Sequence, residues 1–263
     1  MAGGQPPATV SGVRIVLISS PGPGPGVHWS QPAAAELARA LIAGGAEVSW
    51  FPVVNAREEV PPPPPGIHSF AGSTVRPAPV HRVEMGTLDL PLEAGLTKEL
   101  RRRPTAAFVH LGAGARGSVN LLWIADRMGV APFAVVRASE VVCQRGGLID
   151  AGGAACDRFL EPARCRACCS GGWLRRPHTS EFQNRSELLV AGLQVARAVF
   201  VHEEIEVQQL EQLAVPRRVL QIAPGAAGNG VLAARLLAAR DALVAPSGAT
   251  NARASASQRP VGG

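Results

Sequence analysis

Five cysteines form the densest group of reactive side chains in this sequence. Cys143, Cys156, Cys165 and Cys168 follow the spacing C-x12-C-x8-C-x2-C, and Cys169 is adjacent. Two thiolates of a C-x-x-C turn can share one Zn²⁺, and two more complete a closed tetrahedral site. The segment around these cysteines is rich in Gly and poor in apolar residues, so it needs a bound metal or another cross-link to be ordered. We predict a structural zinc site; reduced thiols, or two disulfides with one Cys left over, are the alternatives.

A second motif lies at residues 112–117, which read Gly-Ala-Gly-Ala-Arg-Gly between a predicted strand and a predicted helix. A G-x-G-x-x-G sequence in that context is typical of dinucleotide binding. Glu140 then lies near where a ribose-binding acid is expected, and Arg137 would instead suit a 2′-phosphate. The alternative is a tight turn between strand and helix at Gly112 in a Gly-rich protein.

A Pro-Gly loop follows the first predicted strand, with Gly24 and Gly26 in it. Glycines at a helix N-terminus let backbone N–H groups approach a phosphate or sugar, although the three prolines remove donors. His28 and Trp29 follow, and a Trp ring can stack on a sugar or lipid. We predict ligand contact at this loop, with a flexible turn and simple hydrophobic packing as the alternatives.

Two further candidates lie at predicted strand ends. His110 ends one strand at the edge where a ligand cleft is expected, and a core histidine is the alternative. Arg137 ends another strand, where it could clamp a phosphate or carboxylate or form a solvated salt bridge.

The elements that must position these residues alternate between strand and helix. Predicted strands are Val13–Ser19, Glu47–Val53, Thr105–Leu111, Pro132–Arg137, Ala198–His202 and Arg218–Ala223. Predicted helices are one capped by Ser30 and ended by Gly44, then Leu92–Arg103, Ser118–Met128, Thr179–Ala196, Glu203–Leu213 and Val231–Leu243. This alternation predicts a single Rossmann-like α/β domain with a mostly parallel sheet of about six or seven strands, covered on both faces.

Composition limits the partners. The chain has 263 residues, is 46% hydrophobic and carries a net charge of +6. The arginines are scattered and Tyr is absent, so we do not expect nucleic-acid binding. An anionic small substrate or a phospholipid surface stays open, because Arg binds phosphate well. No segment reaches the ~20 apolar residues that span a bilayer, so we expect a cytoplasmic protein, with a membrane-peripheral position left open.

Five segments resemble glycosyltransferase family 4, in that family's order. They are VRIVLISS with the Pro-Gly loop and AAAELARALIAGGAEV, then AAFVHL, GVAPFAVVRASEVVC, the Cys-bearing insertion, and ARAVFVHEEIEVQQLEQLAVPRRVLQIAPG. The resemblance covers Val13–Gly225 and implies the N-terminal, acceptor-side half of a two-domain GT-B fold. We expect this domain at residues 13–245, with the insertion at 143–172 and disordered tails at 1–12 and 246–263.

This sequence also departs from the family pattern. The family's His-Asp pair falls on Arg137 and Ala138, and the Ser that opens a late helix is Glu203. Only 38 residues follow Gly225, too few for the donor-binding domain that the family places there.

The resemblance therefore implies an acceptor-side domain without its donor half, and we expect no transferase activity from the isolated chain and no catalytic residue in it. Two alternatives stay open: a separate donor-binding polypeptide, which would bring the nucleotide sugar, or a non-catalytic remnant that binds a sugar, a lipid-linked acceptor or a protein. An NAD(P)-binding Rossmann protein and a zinc-stapled interaction module are the competing hypotheses.

Overall fold

A computed structural model describes residues 14–20, 29–53, 65–69, 90–114, 118–157, 161–169, 178–223, 230 and 232–238. The strands are β1 Arg14–Ser19, β2 Glu47–Pro52, β3 His68–Ser69, β4 Ala107–Leu111, β5 Ala131–Val135, β6 Ala198–Val201 and β7 Leu220–Ile222. The helices are α1 Ser30–Ala43, α2 Leu90–Arg102, α3 Asn120–Arg127, α4 Ala138–Val142, α5 Pro162–Cys169, α6 Thr179–Gln194 and α7 Glu204–Gln212. A 3-10 turn at Arg217–Val219 precedes β7, and residues 232–238 form a last helix, α8.

All seven strands form one parallel sheet in the order β3-β2-β1-β4-β5-β6-β7. The predicted α/β fold is therefore confirmed. Strand order reverses between β1 and β4, so the two strands are neighbours although β2 and β3 lie between them in sequence. In open α/β sheets, ligands bind outside the carboxyl ends of the strands at such a switch point.

Helices cover both faces of the sheet, as each parallel strand needs. Alternate residues of β1 separate the two cores: Val16 and Ile18 face α2, α3, α6 and α7, whereas Ile15 and Leu17 face α1 and α8. Leu237 of α8 lies against Gly44, where a β-carbon would meet its Cδ1 at 2.3 Å. The described part of the predicted last helix therefore packs beside α1.

A charged residue interrupts the apolar run of β1, and the structure shows why it is tolerated. Arg14 is buried and pairs with Glu99 of α2, which is also buried. Its guanidinium donates further to Ser49 Oγ of β2 at 3.0 Å. A buried charge is stable only when it is paired and hydrogen-bonded, and Arg14 is both.

Two local predictions were wrong, and one helix was not predicted. Ser30 is the first residue of α1 rather than its cap, because its hydroxyl donates to the Ser20 carbonyl oxygen; Trp29 is the N-cap. The strand predicted to reach Arg137 ends at Val135, and Arg137 instead precedes α4. The Cys-rich insertion contains α5, which has no amphipathic pattern to predict it. Among the described residues, no helix is long and apolar enough to cross a bilayer.

Candidate functional site

Four polar or aromatic side chains meet at the carboxyl edge of the sheet, beside the switch point. Trp29 opens α1 after β1, Arg137 and Glu140 follow β5, and His202 follows β6. Glu206, in the first turn of α7, lies behind them. We call Trp29, Arg137, Glu140, His202 and Glu206 the edge cluster.

Trp29 is the centre of the edge cluster. Its indole Nε1 donates a hydrogen bond to Glu140 Oε1 at 2.6 Å. The His202 ring meets the indole edge-on, with ring centroids 5.6 Å apart, and Arg137 Cζ lies 5.6 Å from the indole centroid. One aromatic side chain thus holds a carboxyl, an imidazole and a guanidinium around it.

Glu140 is only 5% exposed. Burial raises its pKa to about 7; the negative charge of Glu206 adds to this rise, while the hydrogen bond from Trp29 and the charge of Arg137 oppose it. Within the described residues, Glu140 Oε2 has no hydrogen-bond partner. A carboxyl group with a pKa near 7 can exchange a proton at neutral pH.

Like Glu140, His202 has one polar side-chain atom without a hydrogen-bond partner among the described residues. Burial, aided by the charge of Arg137, lowers the pKa of His202, so the ring is neutral at physiological pH. Its Nε2 is buried and finds no partner in the described part of the chain. Buried polar atoms usually have partners. Glu140 Oε2 and His202 Nε2 are shielded from solvent, so a ligand hydroxyl could bond to them once neighbouring side chains shift.

Glu206 fixes the cluster's geometry. Its Oε1 accepts from the Ala138 backbone N–H at 3.1 Å, and its Oε2 accepts from the His202 N–H at 2.7 Å. With Glu203 as N-cap it also completes the capping box of α7. One carboxylate therefore ties the chain after β5 to the chain after β6.

The predicted ligand-binding residues differ in their burial and in whether they belong to the edge cluster. Gly24, Gly26 and His28 lie outside the described residues. Arg137 is exposed and belongs to the edge cluster. His110 is wholly buried; its Nε2 lies 2.8 Å from Ser20 Oγ, and burial lowers its pKa to about 3. Its ring therefore has the enclosed, neutral character of the core histidine given above as the alternative.

Packing accounts for the first two glycines of the G-x-G-x-x-G motif. Gly112 has φ +78°, and a β-carbon there would lie 2.7 Å from the Ser20 carbonyl oxygen. A β-carbon on Gly114 would lie 2.5 Å from Val141 Cγ2 and 2.9 Å from Val141 N. The protein itself fills both spaces, which is what the tight-turn alternative requires. The third glycine lies outside the described residues.

The predicted zinc ligands Cys143, Cys156, Cys165 and Cys168 line one cavity of about 230 Å³, together with Cys169. None of the five is in a disulfide. Burial, with the neighbouring thiols of the set, raises the pKa of Cys165 to about 11. In the described ranges, however, no three His, Cys, Asp or Glu side chains are grouped so that they could hold a metal ion.

The sequence pointed to Trp29 and Arg137, and to Glu140 as a ribose ligand. It did not single out His202 or Glu206. A signal for them exists: polar residues directly follow two apolar strands, and Glu203 and Glu206 have capping-box spacing. What the sequence could not give is the order of strands, which brings the residues after β5 and β6 next to Trp29.

No protein-family model matches this sequence, and no curated protein matches it. Among solved structures it is similar to Phytolacca americana UGT2 complexed with UDP-2fluoro-glucose and pterostilbene, at 15% identity and a TM-score of 0.49, over 82% of this chain and 54% of that one. It is also similar to sucrose-phosphate synthase from Thermosynechococcus elongatus, at 15% identity and a TM-score of 0.49, over 81% of this chain and 48% of that one. For UDP-GlcNAc 2-epimerase from Methanocaldococcus jannaschii the identity is 12%, the TM-score 0.39 and the coverage 84% and 49%.

This chain spans about half the length of each of these three proteins. The sheet topology defines the class of this protein. It is a Rossmann-like α/β domain with seven parallel strands and a polar cluster at the switch-point edge.

Proposed function

We propose that this chain is a glycosyltransferase-like acceptor-side domain and that the edge cluster binds the acceptor. The observation that carries the proposal is the position of the cluster, at the carboxyl edge beside the β1–β4 switch point. Ligands of open α/β sheets bind at this place, and the motif order of the sequence supports a glycosyltransferase-like ligand there.

The side chains of the cluster suit a polyhydroxyl ligand. Trp29 offers an apolar ring and Arg137 an exposed cation, which together suit a sugar that carries a phosphate or carboxylate. Glu140 Oε2 and His202 Nε2 offer two hydrogen-bonding atoms without a partner among the described residues. His202 Nε2 can accept from a ligand hydroxyl, and Glu140 can donate to one when it is protonated.

Transfer by this chain alone is not part of the proposal. Arg137 and Ala138 occupy the positions of the family's His-Asp pair, and a guanidinium does not act as a general base. The donor sugar would be held by another polypeptide, or the chain would bind its acceptor without transfer. In either case the chain's own contribution is to bind and orient hydroxyl groups.

Two arginines provide a matched test. Arg137 Cζ lies 5.6 Å from the Trp29 ring, and Arg127 Cζ lies 5.8 Å from the Trp123 ring, away from the edge cluster. Binding of simple sugars, sugar phosphates and NADH would be measured by ligand-observed NMR on the wild type and on both alanine variants. We expect sugar-phosphate binding that Arg137→Ala weakens at least tenfold and Arg127→Ala leaves unchanged.

Equal losses in the two variants would refute the edge cluster as the binding site. Binding of NADH without any sugar would replace the proposal with the dinucleotide hypothesis.

A further inference from the structure

The cysteine-lined cavity lies outside the edge cluster, and the proposed function does not use it. Its thiols come from three parts of the chain: Cys143 follows α4, Cys156 follows a single bridge between Ile149 and Ala155, and the C-x-x-C pair lies on α5. Cys165 and Cys168, three residues apart on that helix, are on neighbouring positions of one face. A single cavity therefore receives side chains from distant positions in sequence.

Among the described residues, the walls of this cavity bury few apolar side chains. Ile149 is 50% exposed, and Cys169 is the only buried residue of α5. The hydrophobic cluster in the described part of the insertion consists of Cys169 and Phe182, with Cys165 partly buried beside them. This apolar surface contributes little against the entropy of ordering a Gly-rich segment.

One buried cation lies beside the cavity. The lining itself is balanced in charge, with Arg145 and Arg164 against Asp150 and Asp157. Arg185 is buried next to it, and its guanidinium interacts electrostatically with Cys143, Cys165 and Cys169. Zn²⁺ with four thiolates carries a net charge of −2, which the guanidinium of Arg185 partly offsets.

We propose that Cys143, Cys156, Cys165 and Cys168 bind one Zn²⁺ in a closed structural site that orders the insertion. Four thiols release four protons to solvent as four S–Zn bonds form, and nothing is oxidised or reduced. Cys169 is outside the set because it is buried against Phe182, whereas Cys165 beside them is only partly buried. Since no described group of side chains is already placed to hold a metal, binding draws the thiols in from the cavity walls and is coupled to local folding.

The test uses the full chain, purified under reducing conditions without chelator. We expect one equivalent of zinc by elemental analysis, and on replacement by Co²⁺ the near-ultraviolet thiolate charge-transfer band and intense visible bands of a tetrahedral site. Removing the metal is expected to lower the melting temperature of the insertion and to speed its proteolysis, while the sheet keeps its far-ultraviolet circular dichroism. Less than half an equivalent of zinc, or a Co²⁺ spectrum without thiolate bands, would overturn the proposal.

Cysteine variants provide the matched comparison. Cys168→Ser is expected to weaken zinc affinity at least a hundredfold, and Cys169→Ser to leave affinity and stoichiometry unchanged. If both variants lose the metal equally, the assigned ligand set is wrong. Because a serine variant can also unfold, thiol counting on the wild type gives a second criterion: four thiols protected by zinc and released by chelator support the site. Iron with sulfide, or disulfides in the purified chain, would overturn it.

Discussion

The edge cluster and the cysteine cavity both bring reactive side chains together, but different forces hold them. Trp29, Glu140 and Glu206 are fixed by hydrogen bonds between chain segments that the parallel sheet already aligns. In the described part of the insertion, the thiols line a cavity whose walls contain one isolated bridge and a short helix with a single buried residue. The first region is preorganised by the fold, whereas the proposed zinc site would give the second its geometry.

Arg185 joins these two regions, and its loss should have the largest effect. Its buried guanidinium donates to the carbonyl oxygens of Val141 at 2.7 Å, Glu140 at 2.8 Å and Gly114 at 3.1 Å. Arg185→Ala leaves these carbonyls without their donor, so we expect a loss of about 3–5 kcal/mol of unfolding free energy in urea. The exposed Arg145, with one bond at 3.4 Å to the Cys168 carbonyl, is the control: Arg145→Ala should cost less than about 0.5 kcal/mol. Similar losses in both variants would contradict this role.

Glu140 should make stability depend on pH. Its pKa rises from 4.5 unfolded to about 7 folded, so the folded state binds the extra proton. Its favourable contribution is complete below about pH 4.5 and is lost as pH rises through 7. Relative to Glu140→Gln, the wild type should lose up to about 3 kcal/mol between pH 4.5 and pH 8.

Chemical unfolding of both proteins across that pH range measures the difference. Buried His110 and His202 act in the opposite direction, but they are present in both proteins and cancel. A difference that stays constant with pH would show that the carboxyl group of Glu140 is not buried as described.

Substitutions of Gly114 and Gly95 test whether packing fixes the turn that contains Gly112 and Gly114. Gly114→Ala places a β-carbon 2.9 Å from the Val141 backbone nitrogen, which cannot move aside easily, so we expect a loss of about 1–3 kcal/mol. Gly95 lies in α2 with nothing within 4 Å of its β-carbon position, so Gly95→Ala should stabilise the protein by up to about 1 kcal/mol. Thermal melts measure both. A neutral Gly114→Ala would mean that the turn has room for a ligand.

Arg137 should contribute least to stability, because its exposure weakens both its contact with the Trp29 ring and the effect of its charge on Glu140 and His202. We expect Arg137→Ala to change the free energy of unfolding by less than about 1 kcal/mol, as for Arg127→Ala. If both variants change the free energy of unfolding in urea equally little, the weaker ligand binding of Arg137→Ala does not come from a loss of folding. A loss above about 2 kcal/mol would make Arg137 a structural residue.

The fold could be predicted from the sequence better than the site. Short apolar runs such as β1 and β4 are typical of buried parallel strands. Because these runs alternate with amphipathic helices, the sequence predicted the parallel sheet. The site depends on which strands become neighbours, and that is decided by crossovers rather than by local residues. His110 lies next to the end of β4 and is nevertheless enclosed, whereas Glu140 lies on a five-residue helix that no periodicity predicts. The insertion resists prediction for another reason, since the helix that carries Cys165 and Cys168 has no amphipathic pattern.

The central claim is that this chain binds an acceptor without transferring sugar to it. The most direct measurement is NMR of the pure full chain with sugar phosphates and a panel of nucleotide sugars in the same sample. We predict that a sugar phosphate binds, that Arg137→Ala weakens this binding, and that every nucleotide sugar stays intact. Turnover of a nucleotide sugar by the pure chain, or the absence of binding by any sugar phosphate, would contradict the account.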